Sequence, residues 1–342
     1  MREYIQKLVA GKDLTSGEAE DAMRRIMSGE ATQAQIGSFL TAMSLKGGSA
    51  SEIASFARVM REFAHRIEPK VRGRLVDMCG TGGDAIKTFN ISTIASFVVA
   101  GAGVPVAKHG NRSVTSKSGS ADLLEALGAK IDMPPEKVRA NIEEIGFGFM
   151  FAPLFHSAMK HAIGPRKEIG IRTVFNVLGP LTNPASAKAQ VMGVYDEELL
   201  PLIAKVLSDL GVEKALVVHG VGGLDEVSTI GPTRICEVTD GKLEIYSIHP
   251  SDFRIREVKV IDLQGGDPYS NCLITRDILQ EKKKGPKRDV VLLNAACGIY
   301  VGGKAGSIED ALELASESID SGRAFEIMNA YLKSSRLAEA YA

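Results

Sequence analysis

Over its first ~70 residues this chain carries helix signals and no strand pattern, and from Arg74 onward short apolar runs alternate with helical stretches. That change of rhythm restricts the chain to a helical segment followed by a layered α/β body. Three helix starts, Thr15-x-x-Glu18, Thr32-x-x-Gln35 and Ser49-x-x-Glu52, have the capping-box pattern. Each leads into apolar residues at helical spacing, such as Ile36, Phe39, Leu40 and Met43, then Ile53, Phe56, Met60 and Phe63. Gly29 and Gly47 stand where a left-handed residue ends a helix. Short helices with apolar faces and no strand between them must pack on one another or on a second chain.

After Arg74 the chain reads as a strand over 75–78, a glycine loop over 80–84, and a helix through Ile94, Ala95 and Val98 capped by Asn90 or Ser92. A strand over 104–107 then runs into a second loop over 108–120. A helix through Leu123, Leu124 and Leu127 ends at Gly128, and Pro134 and Pro135 open another that reaches about Ile145. Further strands are predicted at 149–151, 190–195 and 215–219, with a helix over 199–210 and a mostly helical tail from Ser270. The predicted fold class is α/β: a small all-helical N-terminal domain (1–70, with a returning helical segment near 168–186) and a larger domain (71–342) with a central, mostly parallel sheet flanked by helices. In such sheets ligands bind at the carboxyl ends of the strands, where both glycine loops fall.

Between Asp84 and Asp122 there is no acidic residue, yet the window holds Lys87, Lys108, His109, Arg112 and Lys117 and many hydroxyls and glycines. In a chain with 24% charged residues and net charge −1, a one-signed gap points to a ligand rich in negative charge, held by backbone N–H groups, hydroxyls and cations. It reads as a phosphate site. The near-zero net charge argues against a general nucleic-acid binder. Cys79, Cys236, Cys272 and Cys297 form no C-x-x-C pair, which fits reduced thiols. The most apolar stretch, 94–107, is interrupted by Ser96 and Pro105 and cannot span a bilayer. A cytoplasmic protein without membrane contact is expected.

Four blocks carry the chemistry. Gly80-Thr81-Gly82-Gly83-Asp84-Ala85 satisfies the G-x-G-x-x-[GA] dinucleotide pattern, but the acid expected about 20 residues on is missing. No phosphate-loop G-x-x-x-x-G-K-[ST] exists, and a tight turn is the other reading of this block. The loop over 108–120 packs cations, hydroxyls and glycines too densely for a buried connection, and reads as a mobile lid that clamps phosphates. Asp225 and Glu226, after a glycine turn at a strand end, suit Mg²⁺, which shares its shell between carboxylates, water and phosphates. The block over 164–184 offers Arg166 and Arg172, either able to fork onto a carboxylate; His156 and His161 beside it read as structural.

These blocks, in this order and separation, resemble the anthranilate phosphoribosyltransferases of tryptophan biosynthesis over essentially the whole chain. The resemblance implies transfer of phosphoribose from 5-phosphoribosyl 1-diphosphate (PRPP) to the amino group of anthranilate, with release of diphosphate. It implies PRPP contacts from Gly80, Gly83, Asp84, Thr88, Asn90, Ile91, Ser92, Thr93, Lys108, His109, Gly110, Asn111, Arg112, Ser113, Val114, Thr115, Ser116 and Ser120. Gly80, Asn111 and Arg166 would meet anthranilate, with His109 and Pro180 lining its path. Ser92, Asp225 and Glu226 would hold Mg²⁺, two ions per monomer. No acid–base residue is implied; Lys108 and Arg112 would stabilise charge. A homodimer through the N-terminal helices is also implied. The alternatives are a pyrimidine nucleoside phosphorylase of the same fold and a non-catalytic relative that uses the basic groove for nucleic acid.

Overall fold

The computed structural model describes residues 1–83, 86–113, 117–281 and 284–337. Four helices open the chain: α1 (Arg2–Val9), α2 (Ser16–Met27), α3 (Gln33–Lys46) and α4 (Ala50–Glu62). The last three begin at the capping boxes the sequence predicts, with both reciprocal hydrogen bonds formed at Thr15/Glu18, Thr32/Gln35 and Ser49/Glu52. Each box satisfies two amides that a helix start would otherwise leave unpaired. Gly29 and Gly47 have φ of 80° and 82°, as helix-stopping glycines do.

The rest alternates: β1 (Val76–Gly80), α5 (Ile91–Gly101), β2 (Val106–Gly110), α6 (Ser120–Leu127), α7 (Pro135–Ile145), β3 (Phe147–Phe151), α8 (Ala152–Phe155), α9 (Lys160–Ile169), α10 (Phe175–Leu181), β4 (Ala189–Gly193), α11 (Leu199–Asp209), β5 (Lys214–Gly220), β6 (Thr233–Thr239), β7 (Lys242–Ile248), α12 (Pro268–Leu279), α13 (Pro286–Val301), α14 (Ile308–Asp320) and α15 (Arg323–Arg336). The seven strands form one sheet in the order β3-β2-β1-β4-β5-β6-β7. Strands β1 to β5 are parallel, and β6 and β7 add an antiparallel edge. The chain runs outward from β1 through β2 to β3, then returns to place β4 on the other flank of β1. The gap between the carboxyl ends of β1 and β4 is therefore the topological switch point.

Two departures from the sequence reading matter for the site. The second strand extends to Gly110, so Lys108, His109 and Gly110 are strand residues rather than loop residues. Their pairing with β3, Lys108 opposite Phe149 and His109 opposite Met150, holds them in a ladder that polarity alone does not reveal. The hairpin of β6 and β7 is absent from the sequence expectations. Its turn is Asp240-Gly241, both with positive φ (47° and 83°), the strongest short-range hairpin signal a sequence carries.

One face of the sheet is covered by α5, α13, α14 and α15 around Phe97, Phe147 and Tyr331. On the other face, Met192, Val217 and Val238 share a buried cluster with α11 and with α2, α3 and α4. Helices α9 and α10 join it by packing on α3 and α4. Under the N-terminal helices lies a buried anchor. The fully buried Glu52 carboxylate accepts from the amides of Leu14 (2.9 Å) and Ser49 (2.8 Å) and from the Lys46 ammonium at 2.7 Å. Glu52→Ala leaves these donors without their acceptor. A loss of about 3–5 kcal/mol in unfolding free energy is expected, measured by denaturant titration; a loss below about 1 kcal/mol would show that the anchor is dispensable.

Candidate active site

The switch point is built around the turn after β5. Asp225 lies flat against the ends of β1 and β4: a Cβ on Gly80 would meet its carboxylate, and one on Gly193 would meet its backbone. The Gly82 amide donates to Asp225 Oδ2 at 2.8 Å, and the Ser92 amide, in the first turn of α5, donates to Glu226 Oε1 at 3.2 Å. Burial pushes the Asp225 carboxyl above its usual range, with the Gly82 bond opposing. The turn is pinned from behind by Asn294 of α13, which accepts from the Val227 amide at 2.9 Å and donates to the Val227 carbonyl at 2.8 Å. Asn294 and Gly193 are not among the residues the sequence singles out, and no local pattern marks either of them.

Strand alternation sends Lys108 and His109 to opposite faces of β2. Lys108, 1% exposed, donates to the Met78 carbonyl at 2.5 Å and to Ser92 Oγ at 3.3 Å. Burial lowers its pKa, against the opposing pull of Asp77 and Glu226. The ammonium thus lies beneath the start of α5 and orients the Ser92 hydroxyl. His109 instead faces α10. Its Nδ1 lies 3.2 Å from the Gly179 carbonyl, so the neutral ring carries its proton there. Its Nε2 is buried with no hydrogen-bond partner among the described residues, and the His156 ring lies 5.0 Å away. Burial first, then the nearby His156, lower its pKa to about 3.

The other expected residues sort clearly. Asn90 occupies the cap position of α5, but its side chain does not cap the helix. It donates to the Ser118 carbonyl and accepts from Ser118 Oγ and Asn271, closing the base of the second loop. Thr93 donates to Ser120 across the same seam at 3.0 Å. Asp122 accepts from the amides of Ser113 and Gly119, and Asn111 accepts from its neighbour Arg112's amide at 2.7 Å. Arg112 itself forks onto Glu125 and reaches Asp122 at 3.3 Å, so its charge is already matched by α6. Thr88 bridges to Gln264, whose neighbour Gly265 packs flat on Phe89 with no space for a side chain; no sequence pattern points to this lining segment either. Gly110 sits against the Phe149 ring, and Ile91 is wholly buried. Asp84, Val114, Thr115 and Ser116 lie outside the described residues.

On the α10 side, Pro180 is held by its carbonyl, which accepts from Gln190 Nε2 at 2.8 Å. Arg166 is half-buried with its guanidinium 5.0 Å from the Phe175 ring centroid, and burial lowers its pKa. Among the described residues no carboxylate pairs with it. A half-buried, unpaired fork is a ready seat for a carboxylate ligand. Arg172 turns away from it, donating to the Gly83 carbonyl at 2.9 Å. Gly80, Gly82, Ser92, Lys108, Asp225 and Glu226 therefore gather at the switch point, while His109 and Pro180 lie on the α10 side and Arg166 packs on Phe175 of that helix.

The comparisons define first a class. The profile of the glycosyl transferase family, a/b domain, matches residues 72–325, and that of the glycosyl transferase family, helical bundle domain, matches 2–64. The anthranilate phosphoribosyltransferase of Persephonella marina is 52% identical over 328 residues, covering 96% of this chain and 97% of that protein. The crystal structure of anthranilate phosphoribosyltransferase from Thermus thermophilus superposes with a TM-score of 0.92 at 44% identity, over 97% of this chain and 99% of that one. The Saccharomyces cerevisiae enzyme in complex with PRPP and Mg has a TM-score of 0.89 at 30% identity, over 98% and 97%. Within the glycosyl transferase class, the chain belongs to the anthranilate phosphoribosyltransferase family.

The buried His109 gives a measurable pH signature. An unfolded histidine titrates near 6.5 and His109 only at about 3, so the unfolded state binds the extra proton first and stability falls as pH drops from 6.5. Asp77, pushed up to about 6 by burial, acts in the opposite direction and is common to wild type and variant. His109→Gln is expected to flatten the curve, narrowing the stability lost between pH 6.5 and 4.5 by about 2–3 kcal/mol. Parallel curves in urea titrations at those two pH values would refute it.

Proposed function

We propose that this protein transfers the phosphoribosyl group of PRPP to the amino group of anthranilate, giving N-(5-phosphoribosyl)anthranilate and diphosphate. The observation that carries the reading is the carboxylate pair Asp225 and Glu226, each bonded to an amide of the donor side, at the switch point of a chain about half identical to enzymes of that name. A nucleoside phosphorylase would need no anthranilate site, and a net charge of −1 does not favour nucleic acid.

In the donor site, the glycine loop and the start of α5 offer amides and hydroxyls to the phosphates, with Lys108 lending positive charge from below. The residue set fits Mg²⁺ by its chemistry: two carboxylates and the Ser92 hydroxyl would supply some oxygen ligands and leave others to waters and substrate phosphates. Asp225, Glu226 and Ser92 would hold it, in up to two ions per monomer. When bound, it neutralises charge on the departing diphosphate. Arg166 grips the anthranilate carboxylate and aims the amine at C1 of the ribose. The C1–oxygen bond to diphosphate breaks as the nitrogen–C1 bond forms, and the nitrogen then releases its proton to solvent or diphosphate. An aromatic amine is neutral at pH 7, so its attack needs proximity rather than a strong base.

The chain divides on this reading into a helical domain over 1–70 with the returning stretch near 168–186, and an α/β domain over 71–342. The separate profile matches and the packing of α9 and α10 on α3 and α4 support the division. Four free cysteines support a reducing, cytoplasmic setting. No helix among the described residues is long and apolar enough to cross a membrane.

Turnover is read from loss of anthranilate fluorescence with PRPP and Mg²⁺. Replacing both Asp225 and Glu226 by Ala should lower kcat/KM by two or more orders of magnitude, on the scale of losing charged transition-state contacts. Arg166→Ala should raise the KM for anthranilate tenfold or more and leave that for PRPP nearly unchanged, with partial rescue by Arg166→Lys. A silent wild type, or a double variant as active as wild type, would refute the assignment.

Val9 and Leu45, 73% and 85% exposed on α1 and α3, support a homodimer through the N-terminal helices. Sedimentation at micromolar concentration should give twice the chain mass, and Leu45→Glu should shift the boundary towards the monomer. A monomeric wild type would exclude this interface.

A further inference from the structure

Arg172 lies in the connection between α9 and α10, and its own carbonyl accepts from Ser44 Oγ at 3.0 Å, which ties that connection to α3. Its side chain leaves the acceptor side. Nη2 donates to the Gly83 carbonyl at 2.9 Å, and Cζ lies 4.1 Å from the centroid of the Tyr195 ring. Tyr195, just beyond β4, donates its amide to Thr81 Oγ1 at 3.2 Å, while the Thr81 amide donates to the Gly193 carbonyl at 2.9 Å. Residues 81 and 83 are thus fastened to β4 and to Arg172, with Gly82 fastened to Asp225 between them. A side chain at Gly83 would crowd the guanidinium, 3.2 Å from Nη2.

Gly82 and Gly83 both have positive φ, 67° and 77°. Glycines lose more conformational freedom on ordering than any other residue, and a loop ordered only by its ligand spends binding free energy on that step. We infer that Arg172 is a positioning residue for the phosphoribosyl donor: stacked on Tyr195 and bonded to Gly83, it holds the glycine loop ready while its backbone is anchored to α3. The planar guanidinium lies on an aromatic face and donates from its edge at once; a lysine ammonium does only one of these.

The inference rests on the donor assignment made above. Arg172 is exposed, so its variants should fold. Arg172→Ala and Tyr195→Leu are each expected to raise the KM for PRPP, and the Kd of PRPP with Mg²⁺ by calorimetry, about tenfold, with kcat and the anthranilate KM within about twofold. Tyr195→Phe should stay near wild type, and Arg172→Lys should fall between. Combining Arg172→Ala with Tyr195→Leu should add little to either alone, because both break one clasp. Unchanged PRPP constants in both single variants would overturn the inference, as would a fall in kcat and in melting temperature with the PRPP KM unmoved. If wild type fails to turn over or bind PRPP, the donor assignment falls and the clasp is read by hydrogen exchange. Arg172→Ala should then speed exchange at the Gly82 and Gly83 amides, and unaltered rates there would sink it.

Discussion

The close contact between the turn at Asp225 and the glycine ends of β1 and β4 is the constraint on which the site depends. Neither Gly80 nor Gly193 leaves space for a β-carbon, so the turn descends onto the backbone of the two strands that flank the switch point. That descent brings the Asp225 carboxylate within reach of the Gly82 amide and carries Glu226 to the start of α5. A helix far along the chain completes the arrangement, because Asn294 satisfies both backbone groups of Val227 in a buried setting where unpaired amides would be costly. The acid pair is thereby placed by strand backbone and by α13 as well as by the Gly220–Leu224 bridge within its own turn.

The second organising element is β2. A strand has two faces, and this one spends successive residues on different tasks: Lys108 turns toward Ser92, and His109 toward Gly179 and His156. Lys108, buried under the start of α5, has Asp77 and Glu226 as nearby acids, while the half-buried Arg166 has no carboxylate partner among the described residues. Arg112, by contrast, pairs with Glu125 and Asp122, which ties the second loop to α6. Two arginines in one short block also part company, Arg166 remaining unpaired while Arg172 reaches back to the glycine loop.

Much of the fold is legible in the sequence because its signals are local. A capping box is complete within four residues, so Thr15, Thr32 and Ser49 announce their helices without tertiary information. The Asp240-Gly241 turn is equally local, and its hairpin could have been expected from that dipeptide alone. The extension of β2 to Gly110 is of another kind, since polar strand residues are held by pairing with β3. Asn90 shows the same limit. At the head of α5 it looks like a cap, yet Ser118 and Asn271 compete for its amide and win.

The sequence by itself determined the chemistry available: an acid-free window, two glycine-rich segments, an adjacent carboxylate pair and an arginine block, in an order shared with one enzyme family. It also determined the class of architecture, since the change from helical spacing to strand–helix alternation admits few alternatives. Only the tertiary structure decided which charges are free to meet a ligand. Lys108, Arg112, Arg166 and Arg172 are all long and cationic in sequence. Whether each is buried under a helix, paired with an acid, unpaired or stacked on a ring depends on residues remote from it along the chain, brought near by the return of the chain across the sheet. Charge is a property of a residue, but its availability is set by neighbours that sequence spacing does not encode.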